Sequence, residues 1–504
     1  MTSKNPPTKQ AGTFPDPVYA ETVLRPLFEG AKTHHVLGFR AIDRAHLVML
    51  DETGILPRDT AAAIARALVE IEAGTDPASL TYTGAVEDYF FHIEAELKAR
   101  LGPDLAGALH TARSRNDIDH TLFRLALKAR LDGLMGQARA LARAMLAKAR
   151  AEAETLIVAY THGQPAQPST FGHYLAAVLE VLLRDIARLE AARQSVDLSP
   201  MGAAAITTSG FPIDRACVAR LLGFAAPVRN SYGAIASVDY ISASYSALSL
   251  LFLHLGRPIQ DWQVWSGFET GQLRVPDAFV QISSIMPQKR NPVAIEHLRH
   301  LASQAQARGK AVLDILHNTP FTDMNDSEGE TQAMGYEAFA VAERALALMT
   351  ALLPGLAIDG DRVAANTRRA CITITELADT LVRREALSFR QAHEIAASLA
   401  REIVAAGADL ERNGFIPFQA AFRAATARES RLDAQAFAEA VSARVFVARR
   451  DRFGGPARPA LDAAFDAYDS ALAEFERRAA TAATFETLSQ AELARRFAAL
   501  TGEV

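Results

Sequence analysis

The chain runs to 504 residues, 49% hydrophobic and 22% charged, a globular composition with material for about three domains. A net charge of −5 argues against partners recognised through phosphates, so neither nucleic acid nor an anionic membrane surface is expected. Two cysteines, Cys217 and Cys371, cannot build a disulfide framework and read as buried thiols of a soluble cytoplasmic protein.

Met1 to Pro17 is polar and Pro-rich and reads as a mobile segment rather than a signal peptide, and no apolar run of membrane-spanning length is evident. Alanine is abundant, aromatics make up only 7%, and strand-like alternation is nearly absent, which points to an all-α fold. Residues up to about Ala112 hold short helices such as Arg58 to Ala73. Five long helical stretches follow: Thr121–Tyr160, Phe171–Val196, Ser237–Trp265, Val293–His317 and Glu330–Leu353. The first, with apolar positions Leu122, Leu125, Leu134, Leu141 and Met145, would span about 60 Å at ~1.5 Å per residue. Helices this long suggest a bundle, shared between subunits. After Pro354 the elements shorten again to Ile372–Arg384, Phe389–Ala406 and Asp433–Ala443. A Gly454-Gly455-Pro456 break then precedes a last helix over Ala460–Arg478. The expected division is 1–112, 113–360 and 361–504, with the long helices in the middle and no internal repeat.

Three polar stretches interrupt this helical background. ISSIMPQKRNPVAIEHLR, from Ile282 to Arg299, sets Ser283 and Ser284 ahead of Lys289 and an Asn291-Pro292 helix start. A cation and helix-end N–H groups near a hydroxyl favour its oxyanion; the same spacing also suits an ordinary Ser-rich turn. TARSRND packs Arg113, Ser114, Arg115 and Asn116 before the first long helix, donors suited to a carboxylate or to a solvated helix N-terminus. THGQPAQP places His162 between that helix and a Pro-broken loop, where a histidine serves proton transfer or plain structural hydrogen bonding.

Taken together the strings resemble the fumarase/aspartase superfamily, whose members eliminate an amine or water from a succinyl group to leave fumarate. The serine stretch matches its SSxMPxKxNP loop and the histidine stretch its THxQxAQP loop. TARSRND is similar to the GRSRND motif of argininosuccinate lyases, and Glu87-Asp88 and Ala378–Ile395 agree with those enzymes as well. The resemblance implies a homotetramer with twenty central helices, each active site drawing one motif from each of three subunits. It implies Ser283 as catalytic base, His162 as a proton-handling residue oriented by Glu296, and Lys289 and Asn291 holding the charge that develops on the substrate carboxylate. Ser114, Arg115, Asn116, Thr161, Gln164, Ser284 and Met286 inherit substrate contacts, with Arg113 beside them. The ligand is a small dicarboxylate or aminocarboxylate, and neither metal nor cofactor is needed.

The chain departs from the family at Ala112 and Ile282, where glycine is usual, and in the missing tryptophan-glycine opening. It also departs where argininosuccinate lyases read the guanidinium half of their substrate: Val238, Pro320, Asn325 and Glu328 stand at positions of Arg, Tyr, Gln and Lys. Losing several polar partners makes argininosuccinate a poor fit. The expected reaction is elimination of N-(2-aminoethyl)aspartate from ethylenediamine-N,N'-disuccinate. The alternatives are ordinary cleavage of argininosuccinate, a structural descendant without activity, and a small-acid binding protein.

Overall fold

The computed structural model describes residues 14–502. Met1–Thr13, most of the segment expected to be mobile, lies outside the described residues. A short helical lead-in over 17–24 runs into four longer helices: α1 (Arg25–His34), α2 (Val36–Glu52), α3 (Arg58–Gly74) and α4 (Tyr89–Leu101). In α3, Ala61, Ile64, Ala65, Leu68 and Ile71 recur at helical spacing and are all buried, so one stripe faces α2 and α4.

The centre is the expected bundle of long helices. α5 spans Arg115–Ala151, 37 residues or about 55 Å. Its start is fixed by a capping box in which Ser114 and Asp117 each satisfy the other's backbone N–H. The helix does not run on to Tyr160 as its composition suggests. Thr155 turns back onto Glu152, and Leu156–Thr161 forms strand β1 paired antiparallel with β2 (Gln164–Thr170). A run of Leu-Ile-Val-Ala-Tyr-Thr fits a pleated surface, and two prolines in the partner stretch rule out a helix there. The next helix, α6 (Phe171–Val196), crosses the end of α5 so closely that a Cβ on Gly172 would lie 2.5 Å from the Ala149 carbonyl oxygen.

α7 (Asp239–Trp265) follows, with buried Pro258 inside the helix rather than ending it. A two-pair hairpin, β3 (Gln281–Ile282) with β4 (Arg290–Asn291), leads into α8 (Val293–Leu316) and then α9 (Gly329–Leu352). α5 packs on α6 and α9, α6 on α7, α7 on α8, and α8 on α9. The segment Asn325–Gly355 is long and apolar enough to cross a membrane by length and composition, which the sequence reading did not anticipate. Its Phe339, Ala342, Leu346 and Met349 are buried against the other bundle helices, so the apolarity is that of a core helix.

Beyond the bundle, α10 (Ile374–Glu385), α11 (Phe389–Ala405), α12 (Phe415–Thr426) and α13 (Ala434–Val441) close over a core of their own, including Leu381, Leu399, Phe418 and Phe437. The last helix, α14, is much longer than the expected Ala460–Arg478 and runs from Arg458 to Thr501. Phe465, Leu472 and Phe475 join the main core, and the helix packs along α5 and α6. Its far end reaches the N-terminal helices, where Arg496 pairs with Glu52 and Arg58 donates to the Ala499 carbonyl. The architecture is all-α, with strands confined to short pairs.

Candidate active site

The serine stretch is the β3–β4 hairpin. Gln281 faces Asn291 and Ile282 faces Arg290, which presents Ser283 to Lys289 as an exposed tip. Ser283 Oγ accepts N–H bonds from Met286 at 3.1 Å and Ile285 at 3.4 Å. These donors favour a negatively charged oxygen. Arg290 anchors the base of the hairpin to Asp277 and to the Val275 carbonyl. Lys289 is exposed and makes no ion pair among the described residues. Ser284 and Met286 are exposed on the same tip, Asn291 is half-buried at its base, and Glu296 is exposed in the first turn of α8. Ile282 is in extended strand, where no positive φ calls for glycine.

The histidine stretch is the β1–β2 hairpin. Thr161 pairs with Gln164, and His162-Gly163 forms the two-residue turn with φ of 53° and 73°. Two positive φ angles are those of a tight hairpin turn whose twist matches the strands. Thr161, His162 and Gln164 are therefore held at an exposed tip. The stem is fixed by the buried amide of Gln272, which bonds both N–H and C=O of Val158. His162 makes no hydrogen bond with Glu296 within the chain, among the described residues.

The arginine stretch caps α5 at the opposite end of the bundle. Arg113 is buried and gives a 2.6 Å bond to Asp43, a structural tie to α2. Ser114 serves as the N-cap, and Asn116 donates to the Ala205 carbonyl. Arg115 divides its guanidinium between Glu87 and Asp88, each at 3.0 Å, over the Phe91 ring. Ala112, where the family has glycine, adopts a left-handed φ of 61°. Asp117 accepts N–H bonds from Ser114, Gly202 and Ala204, yet burial outweighs them and lifts its carboxyl to about 6.

Arg115 opens onto a cavity of about 630 Å³, including its mouth, walled by α1, α5 and the start of α9. Glu328, at the N-cap of α9, faces it, and burial together with Asp323 pushes the Glu328 carboxyl up to about 7. Of the other departures, Val238 is half-buried at the start of α7, while Pro320 and Asn325 are exposed and do not line this cavity. The sequence reading missed Asp119 and His120. Asp119 lines the cavity, and burial, then Glu328, Asp88 and Asp323, hold it well above the usual carboxylate range. The signal was available: Asp119 and His120 fall four residues after Arg115 and Asn116, on the same face of α5.

The three motifs do not converge within one chain. α5 separates the arginine motif from the histidine hairpin by its own length. α7 starts beside α5's first turns, where Tyr240 Oη meets His120 Nδ1 at 3.0 Å, and ends with Trp265 against Tyr174 at the start of α6. The serine and histidine hairpins thus share one pole, and Arg115, Val238 and Glu328 share the other. Among the described residues no cluster of His, Cys, Asp and Glu has a metal-binding arrangement.

Known proteins match this chain along most of its length. A lyase family profile covers residues 34–307, and an argininosuccinate lyase C-terminal profile covers 371–448. Argininosuccinate lyase 2 of Agrobacterium fabrum is 62% identical over 502 residues, covering all of both chains. Argininosuccinate lyase of Thermus thermophilus is 38% identical over 371 residues, 73% of this chain and 80% of that one. Among solved structures, EDDS lyase in complex with formate superposes with a TM-score of 0.82 at 28% identity, covering 95% of each chain. A variant of EDDS lyase with bound fumarate gives the same values. The chain belongs to the argininosuccinate lyase-like branch of the fumarase/aspartase superfamily and is a carbon–nitrogen lyase.

Proposed function

We propose that this lyase reversibly eliminates an amine from an N-substituted aspartate to give fumarate, with ethylenediamine-N,N'-disuccinate as substrate and N-(2-aminoethyl)aspartate as the departing amine. The observation that carries this reading is the rebuilt amine side. Glu328 replaces a lysine of the family pattern and faces a cavity where Asp119, Asp88 and Glu87 surround the single guanidinium of Arg115. Such a wall suits a cationic diamine and lacks the partners of an arginine head group. The likeness to EDDS lyase over 95% of each chain supports the same choice.

In this mechanism Ser283, as the oxyanion, takes the proton from the carbon beside the distal carboxylate. The electron pair moves into that carboxylate, where Lys289, Asn291 and hairpin N–H groups hold the added charge. It then returns to form the C=C bond as the C–N bond breaks, and the nitrogen leaves with the bonding pair. Donors fixed where charge develops are usually the largest catalytic term. His162, oriented by Glu296, handles a proton. Arg115, Ser114, Asn116, Thr161, Gln164, Ser284 and Met286 position the carboxylates. The two-pole placement of the motifs supports a homotetramer whose sites each draw on three subunits. Two unpaired buried cysteines support a cytoplasmic setting.

A second reading, argininosuccinate cleavage, is favoured by the 62% identity to a protein of that name. Fumarate absorbance at equal enzyme with each substrate separates the two. Turnover of the disuccinate alone supports the first reading, and turnover of argininosuccinate alone overturns it.

A further inference from the structure

The least accounted-for polar atoms lie one turn beyond the Ser114–Asn116 motif. His120 is fully buried. Its Nδ1 meets Tyr240 Oη at 3.0 Å, and the Tyr240 ring is covered by the Arg124 guanidinium at 3.9 Å. With Tyr240 donating to Nδ1, the remaining ring proton sits on Nε2. That atom faces Asp323 Oδ1 at 3.5 Å, yet neither atom has a hydrogen-bond partner among the described residues.

Asp119, the residue before His120, reaches the cavity with no polar partner among the described residues. Glu328, five residues after Asp323, faces the same cavity and is likewise without an ion pair among the described residues. Arg115 offsets them only in part, because its guanidinium is already bonded to Glu87 and Asp88. Clustered carboxylates in a half-closed cavity are costly unless a cation joins them. The buried imidazole adds what an acidic cluster alone lacks: a fully buried, unpartnered Nε2 aimed at the Asp323 carboxylate.

We propose that Asp323 and Glu328 form a seat for a second, positively charged nitrogen on the leaving amine, with His120 as the positioning residue that holds Asp323 in place. This rests on the proposed function and adds to it that the preferred amine carries a second, protonated nitrogen beside the one that bonds to carbon. The seat recognises the nitrogen that does not break its bond, so it acts through substrate binding rather than through the elimination step.

The test runs the reaction backwards, following loss of fumarate absorbance with two amines of matched length, 1,2-diaminoethane and propan-1-amine. The wild-type enzyme is expected to favour the diamine in kcat/KM by about tenfold or more, the scale of one charged hydrogen bond. Glu328→Gln brings that ratio towards one. His120→Phe raises KM for the diamine more than it lowers kcat, and His120→Gln, whose amide N–H reaches the Nε2 position, restores it. Equal use of both amines by the wild type overturns the seat, as does an undiminished preference in Glu328→Gln. An equal kcat loss on both amines in His120→Phe would mark His120 as merely structural and overturn its role. If the wild type adds neither amine but cleaves argininosuccinate, the proposed function fails by itself. The seat is then read on that substrate's α-ammonium, and an unchanged KM in Glu328→Gln overturns it.

Discussion

Arg115 begins, and the hairpin of His162 follows the far end of, one rigid rod, the 37 residues of α5, about 55 Å long. No small substrate bridges that gap, so the proposed site draws its opposite poles from different subunits. Subunits carrying Ser283→Ala and subunits carrying Asn116→Ala are each expected to be inactive. Unfolded together in equal amounts and refolded, they should regain about a quarter of wild-type activity under random assembly. Activity no higher than the two parents would show that each chain builds its own site.

Ser283→Ala is expected to lower kcat by about a thousandfold, the usual scale for losing a general base. Size-exclusion elution should not move, because Ser283 sits on an exposed hairpin tip and receives only the Met286 and Ile285 N–H groups. Turnover within tenfold of wild type would remove Ser283 from the base role.

Glu328 ties stability to pH. Its carboxyl rises from 4.5 in the unfolded chain to about 7 in the folded one, burial being the main cause. The folded state therefore binds this proton more tightly, and stability is lost as pH rises through that window. Glu328→Gln removes the group. Its melting temperature is expected to exceed that of the wild type at pH 8, with the difference vanishing below about pH 4.5. A difference that stays constant with pH would assign the effect to something other than this carboxyl.

Ala112 sustains a left-handed φ of 61° two residues before Ser114, the N-cap of α5. A side chain there costs about 1 kcal/mol relative to glycine. Ala112→Gly is expected to raise the unfolding free energy by up to about that amount, read as a higher denaturant midpoint at unchanged slope, with activity retained. A lower midpoint would mean that the Ala112 methyl contributes packing worth more than the strain.

Local signals carried much of this. Phe171–Val196 was legible because Pro168 bars a helix before it and Thr170 caps its first turn through His173 N–H. The Leu156–Tyr160 strand was not, because a short apolar run that follows an Ala-rich helix with no proline or glycine between reads equally as more helix. The strand exists only through pairing across the His162-Gly163 turn and the buried Gln272 amide, 114 residues away. The site divides the same way. The three motifs announce themselves as strings, whereas His120 gains its meaning from Tyr240 and Asp323, which the sequence places far from it.

The final helix carries a consequence for how the chain is made. Arg58 donates to Ala499, 441 residues later, and Leu493, Phe497 and Leu500 are buried at that end. During synthesis the N-terminal helices emerge first, yet part of their covering is translated last. Until residues near 500 leave the ribosome, the part of α2 and α3 that this helix covers stays open to water, to chaperones and to other nascent chains. Folding of this protein is in that respect post-translational, with its last turns closing the surface that its first turns expose.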